Sequence, residues 1–151
     1  MRFRADAQAF ARMGSGWSPL KNRSDGTTFR WVTGREASLQ LPASAETDAT
    51  IEISTRPPPE LAGWQVVRVV INGRDIGWKR LRSGHQIVTV EAPAAVWRPG
   101  RNLLVLQFRG ALPNPDARSP WIGPPPRATA VDWVAVRPAT DSGREADGAD
   151  S

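Results

Sequence analysis

Apolar and polar residues alternate with a period of two along most of this chain, in short runs separated by glycine, proline and asparagine. Such runs predict half-buried β-strands. The clearest case is residues 65–79, QVVRVVINGRDIGWK, in which β-branched residues flank Asn72-Gly73. Asn-Gly supplies the positive-φ positions of a two-residue hairpin turn, so two antiparallel strands are predicted there. Residues 27–32 place Phe29 and Trp31 on one face of a first strand, residues 37–41 place Ala37, Leu39 and Leu41, and residues 50–55 place Ile51 and Ile53. Each of these is expected to have one wet face. Pro57-Pro58-Pro59 cannot sit inside a paired central strand and predicts a rigid crossing loop before Trp64. Residues 86–90 form a weaker run, expected to pair with 103–108 or its neighbours, and the turn Arg98-Pro99-Gly100-Arg101 starts the latter. Residues 110–127 hold six prolines and two glycines and predict a long loop before a last strand at 128–136.

Seven to eight short strands with no helical periodicity between them predict an all-β chain of two packed antiparallel sheets, a jelly-roll sandwich of about eight strands. An immunoglobulin-like sandwich is the second choice. Three regions are expected: an N-terminal arm or short helix at 1–13, the sandwich at 14–138, and a disordered acidic tail at 139–151.

Composition narrows the chemistry. At 151 residues the chain suits one domain. It has no cysteine, which excludes disulfides, thiolate metal sites and cysteine nucleophiles. No apolar run reaches the roughly 20 residues that span a bilayer, and residues 1–14 lack an apolar leader core, so the chain reads as soluble and not membrane-inserted, whole or as a piece of a larger protein. The net charge of +5 is uneven: residues 141–151 carry −3, leaving +8 on residues 1–140. Of 20 basic residues only Lys21 and Lys79 are lysine. Arginine favours planar, bidentate contact with acidic partners, but the arginines are scattered and no nucleic-acid-binding signature accompanies them.

No catalytic constellation is visible. The single histidine, His85, lies in a loop with no serine–carboxylate signature beside it, and no carboxylate spacing suggests a glycosidase pair. Phosphate-binding glycine motifs are absent, and no cofactor is expected. Residues 22–27, NRSDGT, offer oxygen ligands of the type calcium accepts, but an Asp-Gly turn entering the first strand is the preferred reading, and no metal site is assigned. The unusual component is tryptophan: seven, with no tyrosine. Indole faces stack on the apolar faces of sugar rings, while arginine bonds hydroxyl or anionic groups. Trp31, Trp97 and Trp133 fall in apolar contexts and are expected in the core. Trp17 and Trp121 fall in Gly/Pro/Ser loops, and Trp78 on a strand after the hairpin turn, where ligand contact is expected. The candidate ligand-binding set is Trp17, Arg30, Trp78, Arg101, Arg118 and Trp121. The same residue types also suit a protein interface, so a structural domain packing on a neighbouring domain or subunit is the alternative.

The ordered series Gly16-Trp17-Ser18, Gly26…Phe29-Arg30-Trp31, Ala37-Ser38-Leu39-Gln40-Leu41-Pro42, Val70-Ile71-Asn72-Gly73…Gly77, Trp97-Arg98-Pro99-Gly100-Arg101-Asn102 and Ala130-Val131-Asp132-Trp133 resembles galactose-binding-like jelly-roll accessory domains. These are similar to carbohydrate-binding modules and to sandwich domains attached to bacterial cell-envelope glycosyltransferases. The resemblance spans about residues 14–137. It implies a non-catalytic module that recognises a saccharide or glycan surface, on the extracytoplasmic side of a bacterial membrane. Two departures stand out: Gly123-Pro124-Pro125-Pro126-Arg127 replaces a more polar loop before the last strand, and Pro19-Leu20-Lys21 follows the Gly-Trp-Ser segment where an acid is common.

Overall fold

The computed structural model describes residues 2–4, 13–41, 47–113 and 126–138. Its strands are β1 (Arg2–Arg4), β2 (Lys21–Asn22), β3 (Thr28–Trp31), β4 (Glu36–Leu41), β5 (Ala49–Arg56), β6 (Val66–Ile71), β7 (Arg74–Arg80), β8 (Gln86–Ala92), β9 (Asn102–Phe108) and β10 (Ala130–Pro138). A larger sheet runs β2-β3-β10-β5-β8, with β1 also on β10, and a smaller one runs β4-β9-β6-β7. Every pairing is antiparallel. From β3 to β10 the chain changes sheet at each step except between β6 and β7, which form a hairpin. That alternation is the jelly roll, two Greek keys closed face to face.

Alternation in sequence becomes alternation in burial. Ala37, Leu39 and Leu41 of β4, Val67, Val69 and Ile71 of β6, and Leu104, Leu106 and Phe108 of β9 point inward to meet Ile51, Ile53, Val88, Val90 and Val134 of the larger sheet. Their outward neighbours Glu36, Gln40, Arg68 and Leu103 are exposed. The Asn72-Gly73 turn has φ of 51° and 83°, the two positive angles of a type I′ hairpin. Asn72 has a second role. Its amide donates to Val96 O (2.8 Å) and Asn102 Oδ1 (2.8 Å), and its Oδ1 accepts from Leu103 N (3.0 Å), so the turn is tied to the start of β9.

Two expectations are corrected. Residues 86–90 do not pair with 103–108: β8 pairs with β5, and β9 lies in the other sheet between β4 and β6. A short 3-10 turn, Ala94–Val96, carries the chain across, so adjacency in sequence is not adjacency in the sheet. Residues 50–55 also lack a wet face. Thr50 and Ser54, on the outer side of β5, are buried, and Glu52 between them is half-buried and ion-paired with Arg137 (2.6 Å), while Thr55 shares the inner side with Ile51 and Ile53. Thr55 Oγ1 compensates by bonding Thr129 Oγ1 (2.6 Å) and Ala130 O (2.7 Å). The proline triplet does cross between sheets, leading into the 3-10 turn Pro59–Leu61. In the expected N-terminal arm, Arg2–Arg4 are extended against β10, while residues 5–12, most of the 110–127 loop and the acidic tail lie outside the described residues.

Candidate functional site

On the outer face of the smaller sheet the register lines up side chains from all four strands. Glu36 pairs with Gln107, Gln107 with Arg68, and Arg68 with Trp78, forming one row across β4, β9, β6 and β7. Val66 and Arg80 pair in the next row, with Arg109 beside them. These residues, with Arg35 and Phe108, line a groove of about 520 Å³, within the roughly 300–1,000 Å³ range of ligand clefts.

Trp78 reaches this face because of a bulge. A regular two-residue hairpin would place Trp78 opposite Val67, a core residue, and so point it inward. Between Val69 and Val70 the register shifts, with Val70 opposite Asp75 but Val69 opposite Gly77, so Ile76 is the extra residue. Gly77 adopts φ of 141°, and its N–H donates to Asp75 Oδ1 (3.0 Å). Ile76 packs on the core, and Trp78 emerges 55% exposed beside Arg68.

A second indole contacts the groove-lining Arg109. Trp64 is 47% exposed; its ring leans on Gly110, where an added Cβ would sit 2.8 Å from two ring carbons, and the Arg109 guanidinium lies over it at 5.2 Å. Backbone carbonyls hold the arginines in place: Arg109 Nη1 donates to Trp64 O (3.2 Å), Arg80 Nη1 to Gly63 O (3.0 Å) and Arg35 Nε to Phe108 O (3.4 Å). Arg68 Nε lies 3.3 Å from Asp75 Oδ2, an exposed pair of small energetic weight. Glu36 is the one carboxylate lining the groove, and Gln107 Nε2 donates to it (3.4 Å). Flat aromatic surface beside fixed, planar donors can stack on a ring and bond its substituents.

The six sequence candidates do not converge. Trp17 is half-buried against the core, bridged to Val32, and its Nε1 donates to Ser38 O (2.8 Å). Arg30 is buried and its Nη1 donates to Ser18 O (2.8 Å), so these two gather at the segment that borders β3 and β4. Trp78 lies on β7, at the far edge of the smaller sheet from β4. Arg101 is exposed in the turn before β9, about 20 Å along the strand from Gln107 by the rise per residue. Arg118 and Trp121 lie outside the described residues. Of the tryptophans expected in the core, Trp97 is buried, whereas Trp31 and Trp133 are half-buried; Trp31 carries Phe29 edge-on at 5.4 Å and Arg127 over its ring at 5.0 Å. Sequence reasoning missed Trp64, Arg35, Arg68, Arg80 and Arg109. The signal was the alternation of β6, which turns Arg68 outward, together with Gly77 as the mark of a bulge, after which Arg80 follows on the same face.

Elsewhere a serine, a histidine and an aspartate meet without forming a relay. Ser54 Oγ is 2.6 Å from His85 Nε2, and Asp132 Oδ2 is 3.9 Å from the same nitrogen. A triad needs the carboxylate on the opposite ring nitrogen. Asp132 is instead gripped by both terminal nitrogens of Arg23 (2.8 and 3.0 Å), and Ser54 is fully buried. At residues 22–27, Asp25 Oδ1 accepts from Thr27 Oγ1 (2.6 Å) and Thr27 N (2.9 Å), which holds the carboxyl below its ordinary range. Among the described residues no group of three or more His, Asp or Glu side chains is placed to hold a metal.

No protein-family model matches the chain, and no curated protein does. Solved structures do match. A β-1,3-glucan-binding family 6 carbohydrate-binding module from Bacillus halodurans aligns with TM-score 0.55 at 19% identity, over 91% of this chain and 95% of that one. The C-terminal family 6 module of a marine laminarinase from Zobellia galactanivorans aligns with TM-score 0.54 at 9% identity, over 91% and 98%. A family 35 module from an environmental isolate aligns with TM-score 0.53 at 16% identity, over 90% and 91%. At such identities the likeness is one of fold, and it extends over nearly the whole of each domain. The chain has the galactose-binding-like jelly-roll fold of these carbohydrate-binding modules.

Proposed function

We propose that the protein is a non-catalytic carbohydrate-binding module that holds a saccharide chain in the groove on the outer face of β4, β9, β6 and β7. The observation that carries this reading is Trp78, a large indole turned outward by the bulge into a groove edged with arginines. Leaving so much apolar ring in water is unfavourable by itself, and a sugar face covers it while Arg68, Arg80 and Gln107 take the hydroxyl groups. Of the six sequence candidates, Trp78 is the one this reading uses. The shared fold with carbohydrate-binding modules supports it by analogy. As an accessory module it would keep a larger cell-envelope glycan protein on its polymer. The test is a titration of intrinsic tryptophan fluorescence with neutral and acidic oligosaccharides. A saturable change with at least one is expected; no change with any across a broad glycan set removes the proposal.

A second reading places a neighbouring protein domain on the same face. It is favoured by Trp64 and Trp78 both being about half exposed near arginines, the composition of interface centres. The same titration separates the two, since a face reserved for a protein gives no saccharide response.

A further inference from the structure

We propose that the groove takes an acidic saccharide, one carrying carboxylate or sulfate groups along its chain; this rests on reading the groove as a saccharide site. Among the described residues the groove is lined by Arg35, Arg68, Arg80 and Arg109 against the carboxylate of Glu36, and with Asp75 beside Arg68 the local excess is two positive charges. A neutral polymer needs hydroxyl partners, which amides and carboxylates supply as readily as guanidinium groups. Gathering four like charges on one sheet face is unfavourable unless something anionic completes it.

Their mounting points the same way. Arg35, Arg80 and Arg109 are each steadied by one bond to a backbone carbonyl, at Phe108, Gly63 and Trp64, and among the described residues by no carboxylate. A carbonyl orients the planar fork without neutralising it, and the remaining N–H groups keep the paired geometry that fits a carboxylate or sulfate. Arg68 has an acidic neighbour, Asp75, but both side chains are about half exposed and Asp75 also accepts the bulge amide of Gly77. Bound anions would compete with little opposition. Adjacent strands stand about 4.8 Å apart, so Trp78, Arg68 and Gln107 form a row that can follow successive parts of one chain. Trp78 would then stack on a ring as the arginines of the next row meet its acidic substituents.

The test is isothermal titration of the full chain with an oligogalacturonate, a sulfated galactan oligosaccharide and a neutral β-1,3-gluco-oligosaccharide of matched length. At least one acidic oligomer is expected to bind, about tenfold more weakly when sodium chloride rises from about 0.05 to 0.5 M. The double variant Arg68→Gln/Arg80→Gln is expected to weaken it roughly tenfold or more, while Arg74→Gln/Arg98→Gln, which removes the same charge outside the groove, stays within about twofold. The two acidic arms separate carboxylate from sulfate recognition. Binding of the neutral oligomer with equal strength and no salt dependence overturns the inference and leaves the saccharide reading standing. Equal weakening by the two double variants also overturns it, because the attraction is then that of the whole surface. Failure of all three oligomers to bind overturns the inference, and the fluorescence titration across the broad glycan set then decides the saccharide reading.

Discussion

Trp78→Ala is expected to weaken saccharide binding roughly 30-fold or more while leaving the fold intact. Trp78 is 55% exposed on an edge strand, and the core beneath it is filled by Val67, Val69 and Ile76 rather than by the indole. Substitution at such a position changes stability by about 0.5 kcal/mol or little more. Its binding role is much larger. An aromatic anchor at the centre of a contact is typically worth about 2 kcal/mol or more, which is roughly a 30-fold loss of affinity. Calorimetric titration beside a thermal melt measures both. Trp78→Phe, which keeps a smaller ring, should retain an intermediate affinity. Full affinity in the alanine variant would show that the indole is not the platform.

Gln65→Leu is expected to be the most damaging single change to the fold. Gln65 is 0% exposed, and its side chain is saturated: Nε2 donates to Gly110 O (2.8 Å) and Ala128 O (3.0 Å), and Oε1 accepts from Gly110 N (3.2 Å) and Val66 N (3.3 Å). It thereby ties the start of β6 to both ends of the proline-rich segment that runs from β9 to β10. Leu112 and Arg127 close the same neck by exchanging backbone hydrogen bonds of 2.8 and 3.0 Å. Leucine matches the volume but strands those backbone groups, each at a cost of about 1–3 kcal/mol. The sum expected is about 4 kcal/mol or more, a fall in Tm of about 10 °C or more for a chain of this length. A scanning calorimetry trace within about 2 °C of the parent would mean that water or a rearranged loop replaces the clamp. Because Gly110 also seats the Trp64 ring, the melted neck should loosen its contact with Arg109 as well.

The parts of this molecule that were legible in its sequence are those governed by local period. Strand alternation from Ala37 to Leu41 and from Val67 to Ile71 names the inner face, and Asn72-Gly73 names its hairpin, because side-chain direction and turn chemistry are set by neighbours. Sheet membership is not local. β8 and β9 follow one another and lie in opposite sheets, because the jelly roll alternates layers and the partner of each strand comes from far along the chain. The site was half legible for a related reason. Trp78 was a candidate as an aromatic after a turn, but its outward direction depends on Ile76 being extruded at Gly77, which reverses the phase of everything after it. Gly77 within a strand pattern is the sequence mark of such a bulge. Once the phase is known, Arg68 and Arg80 fall on the same face. Arg35 and Arg109, by contrast, come from strand ends brought together only by the pairing of β4, β9 and β6.

Loop context misleads for the opposite reason. Trp17 follows Gly14 and Gly16 and so reads as exposed, yet those glycines let the segment lie against β4: a Cβ on Gly16 would sit 2.1 Å from Glu36 O. The close approach lets Ser15 O accept from Ser38 N (3.0 Å) and the Trp17 indole donate to Ser38 O. Arg30 lies between the half-buried Phe29 and Trp31 on β3, yet it is the residue of that strand that turns into the protein, where it holds Ser18.

The most direct test of the sheet-face site is the indole region of a nitrogen-15 correlation spectrum, recorded while a bound oligosaccharide is titrated in. The seven tryptophans report from different parts of the chain at once. Saturable movement of the Trp78 indole, with the backbone amides of Arg68, Arg80 and Gln107, while Trp17 and Trp97 stay fixed, is the predicted result. Movement of Trp17 and of the turn around Arg101, with Trp78 unmoved, would contradict it.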